Sequence, residues 1–368
     1  MFDESKIKSF SGKNEEDCLK QCVEFLEDLS KKRRSVDMSA TIHDILKDKY
    51  TMDYEFNYIG ASTCRRSKAS LSHMKKTQLA IIPIEKLQKR DIDDYLLTLT
   101  KYSNSNIKKY FQQLKLGFSL ACEQEIINKN MMLRSDIRCP KSDKPDKKVR
   151  GYTIEEQNKI LKAIAAHKVP YGRNDYRNQL LLELYTGMRM GEINALTPDD
   201  IDFEKSIIHV SRTVSRGFKY EPFIKKGTKT YAGVRDIPLT KSAELVLKDA
   251  ISKMPKNSHN LIFYDMNRRD IMTTNQVNSF FGRICDKAGV AKNGQHALRH
   301  TFATRCIESD IYSLVLKKWM GHTNIHITLD TYTDVFGNMN NDAIQKFDGY
   351  LENVESIDLF GAKQGDLQ

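Results

Sequence analysis

The sequence predicts a multidomain, mainly helical protein: an all-α domain followed by a mixed α/β domain, mostly helical with a small antiparallel sheet. Three observations carry this prediction. The 368 residues exceed what one hydrophobic core serves, and about 100–200 residues per domain gives two large units. Over residues 38–132 apolar side chains recur at helical spacing through SATIHDILKDKY, KASLSHMKKTQLA, EKLQKRDIDDYLLTLT and SNIKKYFQQLKLGFSLACEQEII, with no strand-type alternation between them. Over residues 206–239, by contrast, SIIHVSRTV, KYEPFI and VRDIPL are short strand-like runs separated by glycines and lysines, with helical runs on both sides.

In chain order, residues 1–35 read as a short strand, KIKSFSGK, and a helix, NEEDCLKQCVEFLEDLSKK, in which Cys18, Cys22, Val23 and Leu26 share a face. The helical domain follows over 38–140. Between Cys139 and Gly151, CPKSDKPDKKVRG combines two prolines and a glycine with five Lys or Arg, so residues 141–151 read as a basic linker and Lys147, Lys148 and Arg150 are candidates for lying along a phosphate backbone. Thr153 and Glu156 have capping-box spacing and open a helix, IEEQNKILKAIAAHK, which starts the second domain, 152–345. NDYRNQLLLELYTG is helical and stops at Gly187. Helices return after the sheet, most clearly over 275–288, 298–308 and 313–319, and residues 346–368 form a tail.

Fifty-nine Lys and Arg against 48 Asp and Glu give a formal charge of +11, the balance of a protein that meets a polyanion. The cysteines number seven, an odd count without a CxxC pair, which argues against zinc or redox work and for structural thiols in a reducing, cytoplasmic setting. No apolar run approaches the ~18 residues of a membrane span, and the N-terminus lacks the order of a signal peptide. A P-loop and a carboxylate cluster for magnesium are both missing, so no cofactor is expected.

Several polar groups stand out. Arg189 follows Gly187 in LYTGMRMGEINAL, in a turn between apolar helices, where a permanently charged fork with five donors must aim at something definite; Glu192 is near enough to brace it. In QHALRHTFATR, His296 and Arg299 are spaced i, i+3 and share a helical face, a pairing suited to a phosphodiester. His300 reads as a packing or surface residue. A His296/His300 zinc pair would lack a third ligand, so no metal site is expected. Lys225, Lys226 and Lys229 lie on or beside a hairpin. Tyr332 follows Gly321-His322 in WMGHTNIHITLDTYTDV.

Arg189, Lys229, His296 with Arg299, His322 and Tyr332, within YTGMRMGEINAL, KTYAGVRDIPL, HALRHTFAT and the last quoted run, resemble the tyrosine recombinase, or phage-type integrase, family in order and spacing. The resemblance covers about half the chain. It implies a SAM-like core-binding domain over 38–140 and a catalytic domain over 152–345, with 1–35 similar to the end of an arm-type DNA-binding domain. It also implies cleavage of double-stranded DNA by Tyr332 through a 3′-phosphotyrosyl link, without ATP. Arg189, Arg299 and His322 would bind the phosphate oxygens, His296 would handle the tyrosine proton, and Lys229 would protonate the leaving 5′-oxygen, with Lys225 and Lys226 as alternatives for that role. Further implications are a homotetramer on DNA, excisionase and DNA-bending accessory proteins, nucleoid association, and a C-terminal tail that packs on a neighbouring subunit. The competing readings are a Xer-like chromosome resolvase, a type IB topoisomerase and a catalytically silent DNA-binding regulator.

Overall fold

The computed structural model describes residues 14–34, 39–145, 150–227 and 233–321. The chain divides into two compact units, Met1–Lys148 with Gly217–Lys219, and Val149–Arg216 with Tyr220–Gln368.

The regular elements among the described residues of the first unit are all helices or 3₁₀ turns. Helix α1 (Glu15–Arg34) starts on Glu15, Glu16 and Asp17, whose charges suit the positive end of the helix dipole. Of its expected apolar face, Cys18 and Cys22 are half-buried while Val23 is 46% exposed. Thr41 caps α2 (Ile42–Glu55) by accepting the Asp44 N–H, 3.2 Å. Helix α3 (Ala61–Ser70) ends sooner than the run KASLSHMKKTQLA suggests, giving way to short 3₁₀ turns at Leu71–His73 and Gln78–Ala80. The Ser70 and Thr77 hydroxyls donate to the carbonyls of Ser67 and Met74, side-chain competition that helps these residues leave a helix. After α4 (Lys89–Leu99), helix α5 (Asn104–Glu123) buries Ile107, Phe111, Leu114, Phe118 and Ala121, one stripe at intervals of three or four, and packs on α2.

The second unit opens with α6 (Ile154–Ala165) behind the expected capping box: Thr153 Oγ1 accepts the Glu156 N–H at 3.2 Å, and Glu156 Oε2 accepts the Thr153 N–H at 2.9 Å. Helices α7 (Arg177–Thr186) and α8 (Met190–Ile193) follow. Strands β1 (Ile201–Asp202), β2 (Ile207–Val210), β3 (Arg212–Arg216), β4 (Pro222–Lys226) and β5 (Arg235–Pro238) do not make one sheet. The antiparallel order β1-β2-β5 forms one, and β3-β4 is a separate hairpin. SIIHVSRTV therefore breaks at Ser211, because Val210 pairs with Arg235 while Arg212 pairs with Lys226. Beyond α9 (Lys241–Ser252) lies a further hairpin, β6 (Tyr264–Asp265) with β7 (Asp270–Ile271), then α10 (Thr274–Ala288), α11 (His296–Glu308) and α12 (Ser313–Met320). Ile193, Ile208, Ile237, Leu247, Phe281 and Leu298 meet in the core of this unit, each side chain worth about 1.5–3 kcal/mol.

The segment entering α6 is laced to α11. The Tyr152 N–H donates to Thr301 Oγ1 (2.8 Å), its carbonyl accepts from Arg305 Nη2 (2.7 Å), and its hydroxyl donates to the Ala291 carbonyl (3.0 Å).

Candidate active site

The site is built on helix ends. Helix α7 stops because Gly187 adopts φ 63°, and its N–H donates to the Glu183 carbonyl at 3.0 Å. A Cβ at Gly187 would also run into the Phe302 ring. Gly187→Ala should cost about 1–2 kcal/mol from the left-handed conformation alone, more with the displacement of Phe302, as a lowered urea midpoint at unchanged m-value would show. Two residues on, Arg189 is extended and forms the N-cap of α8. Gly191 lets α8 approach β3, since a Cβ there would lie 2.7 Å from Thr213 Oγ1.

Glu192, 3% exposed, ties two arginines together. Its Oε1 and Oε2 accept from Arg235 Nη1 (3.1 Å) and Nη2 (2.8 Å). They also accept from Arg189 Nη1 (3.0 Å) and the Arg189 N–H (2.9 Å). Burial pushes the Glu192 carboxyl up, but the Arg235 hydrogen bonds and charge, with Arg189 adding, outweigh burial and hold it below the ordinary value. The acid therefore stays ionised. Arg189 Nη2 reaches the Gly321 carbonyl at 3.2 Å, and Arg235 Nε donates to the Trp319 carbonyl at 2.6 Å.

Arg299 is 1% exposed. Its Nη1 and Nη2 donate to the Gly187 and Met320 carbonyls, each at 2.5 Å, so one guanidinium joins the C-terminal ends of α7 and α12 to α11. Cations are favoured at such ends by the helix dipole. One turn earlier, burial first, then the charges of Arg299, His300 and Arg189, push His296 down to about 4. At neutral pH it is an uncharged imidazole able to accept a proton. His300 packs edge-on against His296 with ring centroids 5.1 Å apart.

Arg189, Glu192, His296 and Arg299 thus come together. Lys229, His322, Tyr332, Lys147 and Lys148 lie outside the described residues. Lys225 and Lys226 are exposed on β4. Arg150 is engaged with the Glu156 carboxylate at 2.7 and 2.8 Å, within the α6 capping box. Two residues of the cluster went unmarked in the sequence reading. Arg235 carried a signal, since alternation along β5 puts it on the buried face with Ile237. Glu183 carried none, because it falls within an ordinary helical run.

Two guanidiniums on one carboxylate, with Arg299 and a neutral imidazole beside them, can hold an anion and take up a proton. The sequence profile of the phage integrase family matches residues 153–339, half of the chain. The chain is 25% identical over 296 residues to a XerC-like tyrosine recombinase of Caldanaerobacter subterraneus subsp. tengcongensis, with 74% of each chain aligned. It is 24% identical over 273 residues to the transposase from transposon Tn916 of Enterococcus faecalis, a match spanning 70% of this chain and 66% of the transposase, just under two thirds of its length. Among solved structures, the integrase of transposon Tn1549 in complex with a circular intermediate DNA shares the fold at a TM-score of 0.69 and 23% identity, covering 80% of this chain and 95% of that one.

Proposed function

This chain belongs to the phage integrase family, and on that premise we propose that it is a site-specific DNA recombinase, the integrase of a mobile element. The oxygen of Tyr332 attacks the scissile phosphorus, the bond to the 5′-oxygen breaks, and a 3′-phosphotyrosyl link forms. His296 takes the tyrosine proton, and Lys229 gives one to the departing 5′-oxygen. A 5′-hydroxyl from a second strand then reverses the step, so the phosphodiester energy is kept and no ATP is used. Arg189, Arg299 and His322 hold the non-bridging oxygens, where preorganised positive charge lowers the barrier by several kcal/mol.

The observation that carries this reading is the cluster of Arg189, Arg299 and neutral His296, braced from behind by Glu192 and Arg235. The likeness to a Tn916 transposase and a Tn1549 integrase supports a mobile element rather than a chromosome resolvase. In this reading residues 38–140 clamp the duplex, residues 152–345 cut it, and four copies assemble on two DNA sites in the cytoplasm with accessory DNA-bending proteins. Among the described residues no helix is long and apolar enough to cross a membrane.

A nicked duplex carrying the joined ends of the element tests the proposal, because loss of the short 5′ fragment traps the covalent intermediate. The expected result is a protein–DNA adduct whose tryptic peptide carries the nucleotide on Tyr332. Modification at another residue, or no adduct on DNA that the protein demonstrably binds, overturns it.

A further inference from the structure

Behind the arginines lies an acid that the reaction as written does not use. Glu183 is 0% exposed, and neither carboxyl oxygen has a hydrogen-bond partner. It sits one helical turn before Gly187, on the same face of α7, and the Gly187 carbonyl is the one that Arg299 Nη1 grips. The elements packed on α7 leave few charges to act on it. From α11 comes Arg299, and from α8 comes Glu192, itself bound to Arg235 on β5. The α9 carboxylate nearest α7, Asp249, is spent on Asn178 and Lys253. On α10, Arg283 lies over the Phe280 ring and Lys287 beside His167.

We infer that Glu183 is a positioning residue of the phosphate site, holding a proton there and thereby setting the charge that the arginine cluster presents to DNA. This rests on the recombinase reading. Arg189, Arg235 and Arg299 bring three positive charges and Glu192 removes one, so with Glu183 neutral the cluster stands at +2. Those two net positive charges, together with Lys229, stand against the negative charge that builds on a five-coordinate phosphorane. Ionised, Glu183 would cut the cluster to +1 and draw Arg299 inward. Burial favours the neutral form and pushes the acid well above the ordinary glutamate range, with Arg299 opposing and Glu192 adding.

An acid whose pKa is raised by folding binds more protons folded than unfolded. Stability is therefore lost as pH climbs above the unfolded value of about 4.5 towards the folded one. Glu183→Gln keeps the shape and removes that titration. The experiment follows thermal midpoints and covalent trapping on the nicked substrate from pH 5 to pH 10, for wild type and Glu183→Gln. The expected result is a wild-type midpoint that falls relative to the variant as pH rises. Trapping by wild type should match that of the variant up to the pH at which this relative fall levels off, where folded Glu183 ionises, and drop roughly tenfold below it beyond, the effect of one unit of charge near the phosphate. Identical trapping in the two proteins on both sides of that levelling-off, or parallel midpoint curves, overturns the inference. A wild type that forms no adduct at any pH overturns the recombinase reading instead, and parallel midpoint curves then overturn the proton assignment on their own.

Discussion

Arg299→Lys should lower the rate of DNA cleavage by at least about 10²–10³-fold, the usual loss when a preorganised donor to a developing oxyanion is removed. Geometry sets the size of the effect. Arg299 spends donors on two carbonyls, Gly187 and Met320, that belong to different helices, and only a planar fork spans both while facing a phosphate. Lysine is a point charge on a flexible stem and satisfies one carbonyl at best. The other is left buried and under-bonded at a helix end, at a cost of about 1–3 kcal/mol. DNA affinity should change little, since it comes from many distributed phosphate contacts and falls steeply with salt. Single-turnover cleavage and filter binding on the same substrate separate the two effects. A variant within tenfold of wild type in cleavage would remove Arg299 from the catalytic set.

The second large effect belongs to a residue that need not touch DNA. Arg235→Met should destabilise the protein by about 3–5 kcal/mol, the cost of breaking a buried ion pair from one side. Glu192 would keep only Arg189, whose side chain is 43% exposed, as its partner. In a unit of about 150–250 residues this amounts to a thermal midpoint lower by roughly 6–20 °C. The double variant Arg235→Met with Glu192→Met should be less destabilised than the sum of the singles, because no orphaned charge remains. Additive midpoints would mean that the pair contributes nothing through its charges.

Much of the architecture was legible in the sequence for local reasons. Thr153 and Glu156 announced the start of α6, Gly187 the end of α7, and the stripe from Ile107 to Ala121 the buried face of α5. Each signal depends on residues within a few positions. What escaped depends on partners far along the chain. Ser211 looks like any strand residue until β5 and β4 arrive from opposite sides, and the two-residue strands β6 and β7 are too short for alternation to register. The site divides in the same way. Arg189, His296 and Arg299 could be picked out because a charged group at an apolar helix end is conspicuous. Alternation along β5 places Arg235 on the buried face, but its role exists only because Glu192 lies 43 positions away in sequence and 2.8 Å away in space.

The lacing of Tyr152 to α11 gives the start of the second unit a mechanical meaning. Load carried along the chain past Arg150 does not stop at α6. It is handed at once, through one amide, one carbonyl and one hydroxyl, to Thr301, Arg305 and the turn at Ala291 that precedes α11. Arg299 lies two positions from Thr301 on that helix. A displacement of the chain at Tyr152 is therefore passed directly to the helix that carries Arg299, and shortening the Tyr152 contacts to α11 would be read at Arg299 before it is read at α6.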